Sequence, residues 1–151
     1  MTPVYQRLVD PVRGDCQRCC IATVTGIPYE QVPDFTDPEL PLQDQQRFWL
    51  HRHGYGAIES RGWRLLDQVV WTGLWRLVAV ASVPSQKYEG CLHAIVVGWR
   101  PAPDFPDLTP MEGGPLEMYV IHDPNPTNAP YTRLNDIVQG LTWLVPHFNL
   151  E

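Results

Sequence analysis

The chain has 151 residues, enough for one domain that buries roughly two-thirds of its unfolded surface and needs no disulfide staple. A hydrophobic fraction of 44%, six tryptophans and the lack of repeats or low-complexity tracts argue against a disordered chain. A formal net charge of −6 with no cluster of Lys and Arg argues against binding to a nucleic-acid backbone.

The first residues, Met1 to Arg7, lack the charged and apolar regions of a signal peptide, and no apolar run approaches the ~20 residues that span a bilayer. The expected location is therefore cytoplasmic, with no membrane association. In that compartment the four cysteines are expected to be reduced, so the crowding of Cys16, Cys19 and Cys20 needs an explanation other than disulfides.

Pro3, Pro11 and Gly14 mark residues 1 to 15 as an extended lead-in. A short helix is predicted next, with Asp15 as its N-cap, Cys16 in its first turn and Gly26 as the left-handed residue that closes it. Ile27 to Pro33 reads as a turn and a short helical piece begun at Pro28. The apolar spacing from Leu42 to His53, stopped by Gly54, predicts a second, amphipathic helix whose His51 and His53 are solvated. Tyr55 to Glu59 suits a short strand. Trp63 to Trp75 fits either element and is read as helix.

The second half is strand-rich. Arg76 to Val83, ended by Pro84, and Leu92 to Trp99 are short apolar runs typical of buried strands. The prolines between Pro101 and Pro115 predict a long surface loop, a candidate lid because it joins two strands that carry polar groups. Met118 to Asp123 is the next strand, followed by a short helix around Leu134 to Gln139 and a last strand, Leu141 to Val145. Helices first and then a mostly antiparallel sheet make an α+β layout in one domain, residues 1–151.

A thiol in the first turn of a helix differs from a thiol elsewhere, because unpaired N–H groups and the positive end of the helix dipole stabilise the thiolate. Cys16 is thus a candidate nucleophile, and a nucleophilic cysteine needs a histidine base and a group that orients it. His93 opens one strand and Asp123 closes the next, so antiparallel pairing brings both to one edge of the sheet. Strict alternation puts His93 on the side of Ile95 and Val97, and Asp123 on the side of Tyr119 and Ile121, with His122 turned the other way. Cys19 and Cys20 read as small buried hydrophobes, and His122 and His147 as structural.

Taken in order, a helix-start Cys, a His opening His93-Ala94-Ile95-Val96-Val97 and an acid closing the following strand resemble the papain-like cysteine peptidases. Pro3-Val4-Tyr5-Gln6, Gly14-Asp15-Cys16, Glu30-Gln31-Val32-Pro33 and His122-Asp123-Pro124 further resemble small bacterial and phage proteins of that superfamily. The resemblance implies a papain-like fold, with the helix bearing the Cys packed on a sheet bearing His and Asp. It implies Cys16 as nucleophile, His93 as general base and acid, Asp123 as the orienting group, and Gln6 as a side-chain donor to the oxyanion. The expected activity is cofactor-free hydrolysis of a peptide or amide bond through a thioester, on a peptide or protein substrate.

Two other readings stay open on the sequence. Such a fold could serve as a binding module without turnover, gripping a partner protein. Alternatively, Cys16 and Cys19, spaced Cys-x-x-Cys, could join Cys91 and His93 in a structural zinc site.

Overall fold

The structure, a computed structural model, describes residues 1–10, 14–35, 38–61, 73–108, 112 and 114–147. Helix α1 spans Cys16–Thr25 and ends at Gly26, whose φ of 73° is the left-handed conformation and whose N–H bonds the Ala22 carbonyl. Asp15 occupies the N-cap position, and its carbonyl takes the first helical bond from the Cys19 N–H. Its side chain does not cap, contrary to the sequence expectation. The carboxylate instead accepts hydrogen bonds from the backbone N–H groups of Arg7 (3.1 Å) and Leu8 (3.3 Å) and from the Tyr29 hydroxyl (2.6 Å). These bonds hold the extended lead-in against the start of α1.

A 3₁₀ turn at Tyr29–Gln31 follows Pro28, and α2 spans Leu42–Arg52, just before Gly54 at φ 86°. His53 stacks on Trp49 and His51 lies edge-on to His147, and both histidines stay exposed, as the sequence reading expects. Strand β1 is Tyr55–Arg61. Most of the helix read over Trp63 to Trp75 lies outside the described residues. Its end does not continue as helix: Gly73 is left-handed and Leu74–Arg76 forms a 3₁₀ turn, which delays the following strand, β2, to Ala79–Pro84. Then come β3 (Leu92–Pro101), β4 (Leu116–His122), a single helical turn α3 (Leu134–Ile137) and β5 (Gly140–Pro146).

The five strands form one antiparallel sheet in the order β1-β5-β2-β3-β4, and with the helices this makes an α+β fold. Alternation along β3 feeds two cores. Ile95, Val97 and Trp99 join Ala81, Val83, Leu141 and Trp143 on one face, with Trp99 and Trp143 stacked at 5.7 Å and Leu134 of α3 packed over them. Ala94 and Val96 join Val80 on the other, against Cys20 of α1. Being covered on both sides explains why β3 reads as an almost unbroken apolar run. A third cluster, Ile21, Val32, Leu50 and Leu144, ties α1 and α2 to the sheet.

The β3–β4 ladder carries a bulge. Val97 pairs with Val120, but Val96 pairs with His122, which leaves Ile121 as an extra residue on β4. A Cβ on Gly98 would meet both Tyr119 and Ile121, so these two share the face of Gly98, Val96 and Ala94. His122, paired with Val96, lies on that face too, where its Nε2 bonds the Val4 carbonyl at 2.7 Å. Strict alternation therefore fails at Ile121, and Asp123 turns to the opposite face from the one it predicts. The connection between β3 and β4 leaves from the end of β3 remote from His93, about 27 Å along the strand. Its two flanking residues, Pro101 and Leu116, pair with each other there. Among the described residues, no helix is long and apolar enough to cross a membrane.

Candidate active site

Cys16, His93 and Asp123 meet where the start of α1 abuts the start of β3 and the residue after β4. The His93 ring is 8% exposed, and its Nε2 lies 2.7 Å from Asp123 Oδ1. With Nε2 engaged, Nδ1 is the nitrogen left to face the Cys16 thiol, which borders the same two cavities as His93. The Cys16 Sγ further accepts the backbone N–H of Ala94 at 3.4 Å. That bond exists because Ala94 follows His93 on the strand, so one segment supplies both the base and a donor to the sulfur.

The electrostatics follow from these contacts. Burial opposes protonation of His93, but the hydrogen bonds to Asp123 and Cys16, helped by Coulomb attraction, outweigh it and raise the pKa to about 9. Burial pushes the Asp123 carboxyl the other way. The bonds it accepts from His93, from the Asn128 side-chain amide (2.9 Å) and from the Asn125 N–H (2.9 Å) overcome that and hold it below its ordinary value. A histidine protonated at neutral pH therefore stands between a carboxylate and a cysteine sulfur.

Three supporting groups were not read from the sequence. Asn125 and Asn128 anchor Asp123, and Tyr131 stacks on His93 with ring centroids 6.5 Å apart. The signal was present in Asp123-Pro124-Asn125-Pro126-Thr127-Asn128, whose Asx residues favour tight turns with side-chain-to-backbone bonds. The turn closes through Asn125 Oδ1, which accepts from both the N–H and the hydroxyl of Thr127.

Gln6 lines the same small cavity as Cys16 and His93. Its position is set by the Gln6 N–H bonding the Pro124 carbonyl at 2.9 Å, and its amide nitrogen donates to the Leu8 carbonyl at 3.3 Å. The amide oxygen is buried without a partner. The Cys16 N–H, at the first position of α1, has no acceptor among the described residues and is free to hold an oxyanion.

Cys19 and Cys20 are 0% exposed and belong to the interior. Burial, and then the nearby Asp15 charge, push the Cys19 thiol up to about 12. All four cysteines are free thiols. Among the described residues no three of His, Cys, Asp and Glu are disposed to hold a metal ion, so Cys16, Cys19, Cys91 and His93 do not form the zinc site entertained above. His122 is buried and structural in its contacts, facing Val4 and the Tyr5 ring.

Two cavities open from the Cys16–His93 pair. The wider, about 460 Å³, runs between α1 and α2 (Gln17, Gln43, Gln46) and the sheet (Arg61, Ser82, Thr142). The narrower, about 100 Å³, runs between the lead-in and the loop joining β2 to β3. The thiol and imidazole thus border both cavities, a wide arm and a narrow arm. No protein-family model matches the chain, and no curated protein matches it in sequence.

Proposed function

We propose that the chain is a papain-like cysteine hydrolase that cleaves a peptide or amide bond. The observation that carries this is the His93 Nε2–Asp123 contact at 2.7 Å beside a Cys16 sulfur that sits at the mouth of α1 and takes the N–H of Ala94, the residue after His93. The imidazolium and the Ala94 N–H both stabilise negative charge on the sulfur, which attacks the substrate carbonyl. The Cys16 N–H receives the developing oxyanion, with the Gln6 amide beside it. His93 gives its proton to the departing amine as the C–N bond breaks, leaving a thioester on Cys16. It then takes a proton from water, whose hydroxide adds to the thioester; the C–S bond breaks, the acid leaves and the thiolate–imidazolium pair is restored. Asp123 keeps the ring oriented throughout.

The test is selective alkylation. One equivalent of iodoacetamide at pH 6.5 is expected to label Cys16 ahead of Cys91 and the buried pair, and His93→Ala should slow that labelling at least about tenfold. Slow, equal labelling of Cys16 and Cys91 in both proteins would refute the nucleophile.

A further inference from the structure

We infer that the narrow arm binds the free α-carboxylate of a substrate's last residue, so that the protein removes residues one at a time from a C-terminus. The inference rests on the hydrolase reading and adds a direction to it.

Size comes first. The wide arm falls within the roughly 300–1,000 Å³ of ordinary ligand pockets, whereas the narrow arm is well below it. The longer part of a substrate therefore belongs in the wide arm, and the narrow arm takes a short end. Charge then decides which end. The chain's only lysine, Lys87, lines the narrow arm. Among the described residues its ammonium has no carboxylate partner, only the Tyr88 ring at 5.6 Å. Asn125, 6% exposed, also lines this arm, and its side-chain oxygen is spent on Thr127, which leaves its amide N–H groups to donate. Asp10, the one carboxylate among the described residues of this lining, is already engaged.

A terminal ammonium placed here would meet Lys87 and a protonated His93, whereas a terminal carboxylate would pair with both Lys87 and the Asn125 amide. The short half is therefore the leaving group. It departs as a free amino acid carrying the proton from His93, and the wide arm retains the acyl chain as a thioester on Cys16 until water releases it.

The loop that carries Lys87 is held in place. Ser85 Oγ accepts the N–H groups of Lys87 and Tyr88, the Ser85 N–H bonds the Cys91 carbonyl, and the Tyr88 hydroxyl reaches the Val9 carbonyl. Gln86 makes paired bonds with the backbone of Ala129, beyond Asp123. Lys87 thus extends from a braced turn spanning the lead-in and the Asp123 loop.

Two measurements test this, and the first needs no knowledge of the substrate. The rate of Cys16 alkylation by iodoacetate, which carries a carboxylate, is compared with that by neutral iodoacetamide. The ratio should fall about tenfold in Lys87→Gln, hold in Lys87→Arg, and hold in Arg61→Gln, which alters the wide arm. Second, peptides ending in a free carboxylate should be cleaved about tenfold faster, as kcat/KM, than the same peptides ending in an amide, with Lys87→Gln erasing the preference. A ratio unchanged in Lys87→Gln, a ratio lowered by Arg61→Gln instead, or equal cleavage of acid and amide would overturn the inference while leaving the nucleophile intact. If Cys16 is not selectively alkylated by either reagent, the hydrolase reading fails and takes this inference with it.

Discussion

Replacing Asp123 by Asn removes the charge that faces His93 while preserving shape. The new side chain can still accept the His93 Nε2 and Asn125 N–H bonds, but its amide nitrogen would oppose the donor of Asn128. The hydrogen bond His93 gives to Asp123 is the largest of the effects that raise the His93 pKa to about 9; interaction with Cys16 and the Coulomb attraction of Asp123 supply the rest. The variant should therefore come only part of the way down from about 9 towards the ordinary 6.5 and settle at roughly 7 to 8, since a single neighbouring carboxylate moves a pKa by about 1–3. At pH 7.5 a pKa of about 9 keeps about 97% of His93 protonated, and one of roughly 7 to 8 would keep about 24–76%, a loss of up to about fourfold in the leaving-group acid. The assay is an NMR titration of the His93 ring protons, identified by their loss in His93→Ala. A midpoint that stays near 9 in Asp123→Asn would refute the His93–Asp123 pairing.

The same linkage sets two further outcomes. His93 has a folded pKa above its unfolded 6.5, so its contribution to stability is fully present below about pH 6.5 and is lost as pH rises through about 9. Asp123 is depressed, so its contribution is present above about pH 4 and lost on acidification. Thermal melts across pH should show a plateau between these limits, flattened at both ends in Asp123→Asn; equal pH profiles for the two proteins would exclude a stabilising pair. In the core, Trp143→Ala removes a side chain 1% exposed and stacked on Trp99. It should cost about 3–5 kcal/mol and lower Tm by on the order of 10 °C, read by calorimetry.

Much of the layout was legible because its signals are local. Gly26 closes α1, Pro84 closes β2, and the apolar runs around Val80 and Ile95 could only be buried strands. The pairing of His93 with Asp123 followed from antiparallel topology, which brings the start of one strand beside the end of the next. What escaped is settled by tertiary competition. The Asp15 carboxylate had helix N–H groups within reach by sequence rules, yet the lead-in and Tyr29 claim it. The 3₁₀ turn at Leu74–Arg76 shortened β2 in a stretch whose composition suited a strand. The asparagines after Asp123 lie only two and five residues from the carboxylate they bond, but a turn-forming sequence does not by itself say that its donors fold back on that acid.

The extra residue in β4 gives the strand one unit of slack. In an unbroken ladder, losing a single residue would swap every following side chain to the other face. Here the ladder already reads Val97–Val120 and then Val96–His122, so removing Ile121 should turn an irregular pairing into a regular one with the same partners. His122 would keep its bond to Val4, and Asp123 would keep His93. A variant lacking Ile121 is thus expected to show a His93 midpoint still near 9, and a return towards 6.5 would mean that the bulge itself aims the carboxylate. The face on which Asp123 lies is counted from His122 onward, and the hairpin end of the strand can change length without disturbing it.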